Sequence, residues 1–313
     1  MKVVFMGTSR VAIPSLEALV KSGETILAVI TQPDRPVGRK QILTAPPVKE
    51  TAQKYKLTVL QPEKAKDLAF IESIRGLQPD IIVVIAYGQL LRPALLEIPR
   101  LGCVNIHASL LPKYRGAAPA QWAILNGDKE TGVTTMLMDA GLDTGPILKQ
   151  AVIPIAPDET SATLLDKMSI VGAKVLLATL EGLKNGTLKG VPQDSSVATM
   201  APILKKEDGL IRWTDSAAQI ERRGRALTPW PGMFTYFNNH LLKVLKVKVL
   251  EVPPGGAPGE VIAAEKGKFL VATGAKALHL LEVQPENGNR MTADQFLAGH
   301  SLKKGETLGK IGL

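Results

Sequence analysis

The strongest constraint on the fold of this chain is an alternation of strand-like and helix-like segments that continues to about residue 184. It opens with a strand at Lys2–Met6, an amphipathic helix from about Ile13 to Ser22, and a second strand at Thr25–Thr31. This order is typical of a parallel sheet with helices on both faces. Further along, Ile81–Ala86 is continuously apolar, as expected of a strand buried on both faces. The pattern therefore predicts an α/β N-terminal domain.

A change of pattern indicates a second domain. Residues 185–202 are rich in Gly, Pro, Ser and Thr, a composition typical of a linker. Short strand-like segments then recur between turns that contain Gly or Pro, which is typical of a small closed β-barrel. These segments are Met233–Phe237, Leu241–Leu250, Gly259–Ala264, Lys268–Ala272 and Ala277–Val283. We predict an N-terminal domain at 1–188, a linker at 189–208 and a C-terminal domain at 209–313.

The composition excludes several classes of protein. The lone cysteine, Cys103, cannot form an internal disulfide, and its apolar neighbours favour a buried side chain over a nucleophile. The four histidines form no cluster with cysteine, so we expect no metal site. No apolar segment is long enough to span a membrane, and we expect no signal peptide because a strand is predicted from residue 2. We expect a cytoplasmic monomer. The net charge of +9 permits a polyanionic partner but does not require one.

Three polar residues suggest a site of chemistry. Asn105 and His107 lie two positions apart on the predicted strand 102–107, so their side chains share one face while Ile106 faces the other layer. An amide and a protonated imidazole at a strand end can both donate to an oxygen that becomes negative. Asp143 lies between Gly141 and Gly145, and these glycines let the loop turn tightly and approach its neighbours closely. A carboxylate beside an imidazole stabilises the protonated ring. Taken singly, each residue is better explained as a core histidine or a turn residue.

Longer motifs around these residues carry a family resemblance. Asn-x-His is followed by Ser109-Leu110-Leu111-Pro112-Lys113-Tyr114-Arg115-Gly116, and Asp143 stands in Gly-Leu-Asp-Thr-Gly. Together they resemble the folate-dependent formyltransferases over essentially the whole chain, and the segment 117–122 resembles the members that act on methionyl-tRNA. The resemblance implies a Rossmann-like formyltransferase domain followed by an OB-like β-barrel. It also implies that formyl passes from 10-formyltetrahydrofolate to the α-amino group of initiator methionyl-tRNA, with Asn105, His107 and Asp143 as catalytic residues.

The resemblance also implies where the substrates bind. In the family, two strand-end loops line the folate pocket, and here they contribute Tyr87, Gly88, Gln89, Leu90, Ser109, Leu110, Leu111 and Pro112. An insertion contacts the tRNA acceptor end, and the residues matching it are Arg35, Arg39 and Lys40. The C-terminal domain adds the basic residues Arg222, Arg223, Lys246 and Lys248. The alternatives are ordinary strand-end turns, a solvated basic loop and a solvated strand face. Lys243 would face away from Lys246 and Lys248 unless a bulge intervenes.

Other functions fit the sequence less well. The turn at Gly7-Thr8 has one glycine where a dinucleotide site has three, which disfavours a nicotinamide cofactor. Relatives that formylate glycinamide ribonucleotide need a glycine-rich phosphate turn there, and relatives that formylate sugar nucleotides need no basic surface. A tRNA-binding protein with an inert enzyme domain is disfavoured by the intact set of Asn105, His107 and Asp143.

Overall fold

The computed structural model describes residues 1–38 and 41–309, which fold into two units. The N-terminal unit comprises residues 1–119, 129–155 and 163–202. The C-terminal unit comprises residues 120–128, 156–162 and the chain from residue 203 onward. The predicted linker at 189–208 is thus divided, and its larger part belongs to the N-terminal unit.

In the described part of the chain, a seven-stranded sheet forms the centre of the N-terminal unit. In spatial order its strands are β5 (Val59–Leu60), β2 (Thr25–Ile30), β1 (Lys2–Gly7), β6 (Ile81–Ile85), β7 (Cys103–His107), β8 (Glu130–Leu137) and β9 (Ile147–Pro154). The strands from β5 to β7 are parallel, which confirms the predicted α/β fold. β8 runs antiparallel to both β7 and β9. The connection between β8 and β9 is too short for the crossover that a parallel pair needs.

Helices cover both faces of this sheet. The first six helices of the chain are α1 (Ile13–Lys21), α2 (Pro47–Lys54), α3 (Leu68–Leu77), α4 (Pro93–Leu96), α5 (Pro119–Asn126) and α6 (Ser161–Lys184), and most of α5 belongs to the C-terminal unit. Alternate residues of a strand point to opposite faces. Accordingly, Val3 and Phe5 of β1 belong to a core with α1 and α6, whereas Val4 and Met6 belong to a core with α3 and α4. The predicted long helix at 161–184 is confirmed.

The insertion after β2 contains a short hairpin. Its strands are β3 (Arg35–Val37) and β4 (Ile42–Thr44), which pair antiparallel with Arg35 opposite Thr44. The sequence pattern indicates only an irregular loop here, because both strands are very short. The side chains of Val37, Ile42 and Leu43 are exposed, so the hairpin offers apolar as well as basic groups to solvent.

A six-stranded antiparallel sheet is central to the described residues of the C-terminal unit. Its path runs through β10 (Met233–Phe237), β11 (His240–Leu250), β14 (Ala277–Pro285), β13 (Lys268–Ala272) and β12 (Val261–Glu265), and β15 (Met291–Thr292) pairs with β14. These positions confirm the predicted β domain. No ladder among the described residues joins β10 to β12, and closure into a barrel remains a prediction.

Two helices in the described part of the C-terminal unit pack into its core. α7 (Ala217–Ala226) begins where the sequence predicted it, whereas α8 (Ala293–Gly299) was not predicted. α8 has a capping box in which Thr292 and Gln295 bond reciprocally, and this Thr-x-x-Gln signature was readable in the sequence. Ile220 of α7 and Phe296 of α8 pack into one core with Phe269.

We predict that a buried hydrogen bond stabilises the C-terminal unit. The Trp213 indole Nε1 donates to the Thr235 hydroxyl at 3.0 Å, and both side chains are buried. Trp213→Phe leaves that hydroxyl without its donor, so we expect a loss of about 1–3 kcal/mol in the free energy of unfolding. Urea denaturation followed by circular dichroism measures it. Thr235→Val should lose a similar amount, and the double variant should lose less than the sum. Additive losses would show that the two groups are energetically independent.

Candidate active site

The end of β7 presents two of the predicted catalytic side chains on one face. Gly172 of α6 packs closely on Ile106, whereas Cys103 at the start of β7 belongs to the core on the other side of the sheet. Asn105 and His107 share the face of Cys103, as strand parity predicted. Asn105 is half-buried, and within the described residues its side-chain amide has no hydrogen-bond partner. The amide is therefore available to a substrate.

The His107 ring is fixed between two oxygens. It is 5 % exposed, and its Nε2 lies 2.8 Å from the carbonyl oxygen of Tyr114. A carbonyl only accepts, so Nε2 carries a hydrogen and donates it. Nδ1 lies 3.6 Å from Oδ2 of Asp143. In this tautomer Nδ1 faces the carboxylate as a lone pair when the ring is neutral and as an N–H when it is protonated.

The loop between β8 and β9 brings Asp143 to this ring. Asp143 has a φ of 54°, a left-handed conformation that is uncommon outside glycine. Its Oδ2 also accepts from the Gly116 backbone N–H at 2.8 Å. The loop is tight, since a Cβ on Gly145 would stand 1.8 Å from the carbonyl oxygen of Leu137. This close approach agrees with the predicted need for a glycine at position 145.

The first predicted folate loop follows β6. The Tyr87 side chain is buried, which raises its pKa to about 12, and its hydroxyl has no partner among the described residues. Thr8 Oγ1 donates to the Tyr87 carbonyl at 2.8 Å, and Gln89 bonds Gln32 and the backbone at residues 63 and 65. Gly88 has a φ of 91°, and nothing lies within 4 Å of where its Cβ would be. Hydrogen bonds within the protein thus hold the loop in place, and the space beside Gly88 is open.

The second predicted folate loop follows β7. Ser109 is buried, and its hydroxyl donates to the Lys113 carbonyl at 2.6 Å. Thr134 of β8 ties the loop down by donating to the Ser109 carbonyl at 2.6 Å and accepting from the Leu111 N–H at 3.1 Å. Leu110 packs against Gly132 of β8, where even a Cβ would clash, and the peptide bond before Pro112 is cis. Because its side-chain hydroxyl is already bonded within the protein, this loop can recognise a ligand mainly through its backbone and its apolar surface.

Cys103 takes no part in this chemistry. It is buried in the apolar core near the start of β7, and burial raises the pKa of its thiol to about 12. The thiol therefore stays protonated at neutral pH, which agrees with the sequence interpretation as a small apolar side chain.

Among the described residues, no group of three or more His, Cys, Asp or Glu side chains could hold a metal ion. No helix in the same ranges is both long and apolar enough for a bilayer.

The basic residues of the N-terminal insertion are only partly described. Arg35 is exposed and forms an ion pair with Glu63, with Nη2 at 2.8 Å from Oε2. Arg39 and Lys40 lie outside the described residues, so their predicted contacts with tRNA are untested. An exposed ion pair contributes little stability, which leaves Arg35 free to exchange partners with a phosphate.

The basic residues of α7 are engaged inside the C-terminal unit. Arg223 donates to the Asp208 carbonyl at 3.0 Å and lies 3.5 Å from the Asp215 carboxylate. Arg222 packs against Gly127, and its Nε is buried with no hydrogen-bond partner among the described residues. Neither side chain forms an open cationic surface. α7 therefore supports a contact with tRNA less strongly than the sequence suggested.

A β-bulge creates a broader basic face than the sequence predicted. The register between β11 and β14 shifts on both sides of Lys246, so residue parity changes there. Leu242 and Val244 before the shift and Val247 and Val249 after it face the core, so Lys243, Lys246 and Lys248 are all exposed on the opposite side of the strand. Lys243 was the residue missed, because simple alternation placed it opposite the other two.

The comparisons with known proteins give the family. A sequence model described as "Formyl transferase" matches residues 1–180, and "Formyl transferase, C-terminal domain" matches residues 203–301. The chain is 49% identical over 310 residues to a protein of Citrifermentans bemidjiense named methionyl-tRNA formyltransferase, covering 99% of this chain and 97% of the relative. A relative of the same name from Pelobacter propionicus is 50% identical over 307 residues, covering 98% and 96%.

Solved structures show the same fold at lower identity. WlaRD, a sugar 3N-formyl transferase crystallised with dTDP and 5-N-formyl-THF, has a TM-score of 0.66 and 20% identity, covering 90% of this chain and 97% of that one. HypX from Aquifex aeolicus in complex with tetrahydrofolic acid has a TM-score of 0.64 and 16% identity, covering 95% of this chain and 47% of that one. Both domain models match the chain, and the two relatives are about 50% identical to it over nearly their whole length. The chain therefore belongs to the formyl transferase family.

Proposed function

We propose that this protein transfers the formyl group of 10-formyltetrahydrofolate to the α-amino group of methionyl initiator tRNA, which gives N-formylmethionyl-tRNA for translation initiation. The relatives that match over nearly their whole length carry the name methionyl-tRNA formyltransferase. The observation that carries the proposal is the 3.6 Å approach of Asp143 to a buried His107, next to an Asn105 amide that has no hydrogen-bond partner in the described part of the chain. We propose that it acts as a monomer in the cytoplasm.

The reaction is acyl transfer to an amine, and its difficult point is a charged intermediate. The free α-amine attacks the formyl carbon, and the carbonyl oxygen becomes the oxyanion of a tetrahedral intermediate. The intermediate collapses as the C–N10 bond breaks: the attacking nitrogen loses a proton, N10 gains one, and tetrahydrofolate leaves. The Asn105 amide donates to that oxygen. His107, when protonated, provides a second donor at Nδ1, which lies 3.6 Å from Asp143 and so is not already held in a short hydrogen bond. Each such donor is typically worth about 10²–10³ in rate.

Asp143 has two roles in this scheme. Its carboxylate faces Nδ1 at 3.6 Å and balances the positive charge that the ring carries when it is protonated. The α-ammonium group of the methionyl ester must also lose a proton before it can attack. Asp143 is the nearest carboxylate to the ring, and it accepts that proton directly or through a water molecule.

The folate co-substrate is held by the two loops at the carboxyl ends of β6 and β7. We propose that its pterin ring contacts the first loop through Tyr87, Gly88, Gln89 and Leu90 and the second through Ser109, Leu110, Leu111 and Pro112. The open space at Gly88 and the ties from Thr134 and Thr8 support this assignment. In open α/β sheets, ligands bind outside the carboxyl ends of the strands.

The tRNA substrate requires a basic surface. We propose that Lys243, Lys246 and Lys248 on β11 contact phosphates of the acceptor arm and that the β3–β4 hairpin, with Arg35 and the neighbouring Arg39 and Lys40, contacts its end. Arg223 bonds Asp208 and Asp215 within the C-terminal unit, and Arg222 packs against Gly127. Phosphate contacts add affinity without reading sequence, whereas contacts to base edges discriminate between tRNAs.

The function is tested by offering the enzyme three acceptors with 10-formyltetrahydrofolate: initiator methionyl-tRNA, elongator methionyl-tRNA and an amino sugar nucleotide. We expect formyl transfer to the initiator tRNA, less to the elongator and none to the sugar. His107→Ala should slow transfer by about 10²–10³, while the matched control His240→Ala, which alters an exposed histidine of the C-terminal unit, should not. Preferred formylation of the sugar nucleotide would refute the proposal.

The basic face of β11 predicts a second result. Lys243→Ala or Lys246→Ala should weaken the binding of initiator and elongator tRNA about equally, because both tRNAs have the same phosphate backbone. We would plot the logarithm of the tRNA association constant against the logarithm of the salt concentration. The slope should become shallower by about 1 for each phosphate that a substitution leaves without its lysine. Filter binding of both tRNAs at several salt concentrations measures this. Lys268→Ala, an exposed lysine paired with Glu265, is the control. A changed preference between the tRNAs, or an equal effect in the control, would contradict the assignment.

A further inference from the structure

Three segments of the N-terminal unit meet at the loop that carries Asp143. The Gln193 side chain donates through Nε2 to the carbonyl oxygens of Asp143 at 2.9 Å and Gly145 at 2.7 Å. Its Oε1 accepts from Nε of Arg115 at 3.1 Å and from Nη2 at 2.8 Å. A guanidinium only donates, so the orientation of the amide is unambiguous. Gln193 therefore joins the loop after β8 to the loop after β7.

Arg115 is itself held firmly. It is 7 % exposed, and its guanidinium bonds the neutral side chains of Gln193 and, at 3.4 Å, Ser195. Its backbone N–H donates to the Thr199 carbonyl at 2.8 Å, and its carbonyl accepts from the Ala201 N–H at 2.7 Å. A buried guanidinium is costly unless its hydrogen bonds are made. The position of Gln193 is thus tied to a side chain that cannot easily move.

The loop needs such a support. Asp143 has the left-handed φ of 54°, and a conformation of this kind persists in a residue other than glycine only where the surroundings fix it. The Gly116 N–H holds the Asp143 carboxylate from one side. Gln193 holds the backbone on both sides of Thr144. Without that second support, the carboxylate could leave its position beside His107.

We propose that Gln193, braced by Arg115, is a positioning residue that keeps the Asp143 carboxylate against the His107 ring. Gln193 contacts no reacting atom and acts through Asp143. The proposal rests on the proposed formyl transfer, because Asp143 needs accurate placement only if it assists that chemistry. It assigns a part in catalysis to the segment 193–201, which the sequence indicated as a linker.

Two substitutions separate positioning from folding. Gln193→Ala removes both sets of bonds, whereas Gln193→Glu keeps an acceptor for Arg115 but cannot donate to the two carbonyls. Displacing a catalytic group by about 1 Å can cost about 10²-fold, so we expect kcat to fall about 10- to 100-fold in both variants. KM for 10-formyltetrahydrofolate and for methionyl-tRNA should stay within about threefold. Gln193→Glu leaves two carbonyls without a donor, so its thermal unfolding midpoint should fall by a few degrees, but the protein should remain folded at the assay temperature.

A double variant makes the test specific. If Gln193 acts through Asp143, then Gln193→Ala should cause no further loss in an Asp143→Ala background, measured as single-turnover formyl transfer. Asp194→Ala is the local control, since this exposed neighbour bonds Ser196 and not the Asp143 loop. It should transfer formyl at the wild-type rate.

The outcomes are distinguishable. A further loss in the Asp143→Ala background, a rise in KM with unchanged kcat, or wild-type kcat in Gln193→Glu would overturn the positioning role alone. A wild-type protein that transfers no formyl group to methionyl-tRNA would overturn the proposed function instead.

Discussion

The approach of Asp143 to the His107 ring is the interaction on which the rest of the site depends. β8 runs antiparallel to β7 and pairs Leu137 with Val104, so the loop after β8 starts level with the beginning of β7. To reach His107 at the other end, it must fold back along the face of the sheet. The left-handed Asp143 and the close approach at Gly145 are the local consequences. The bonds from Gln193 and Gly116 then hold the returned loop in place.

Much of this arrangement could be predicted because it follows from short-range rules. Alternation of apolar segments gave the order of strands and helices, and the two-residue period of a strand placed Asn105 beside His107. The glycines around Asp143 indicated a tight loop. The contact between Arg115 and Gln193 could not be predicted from the chain, since 78 residues separate the two and neither segment has a periodic pattern. The antiparallel direction of β8 could not be predicted for a related reason, because it depends on pairing rather than on local sequence.

The basic surfaces show the same contrast between features that short-range rules predict and features that depend on pairing and packing. Counting alternate residues failed at Lys243 because a bulge adds a residue to β11, and a bulge leaves little trace in a sequence of mixed lysines and apolar residues. A run of arginines on α7 suggested a nucleic-acid surface, yet Arg223 bonds Asp208 and Asp215 inside its own unit. Charge alone therefore predicts a partner less well than charge combined with exposure.

The central claim is that Asn105, His107 and Asp143 work as one unit on the developing oxyanion. The most direct measurement is the single-turnover rate of formyl transfer for Asn105→Ala, Asp143→Ala and the variant with both changes. Residues that act as a unit have strongly non-additive effects, so the double variant should be about as slow as the slower single variant. Losses that multiply, or a near-normal rate in either single variant, would contradict the account.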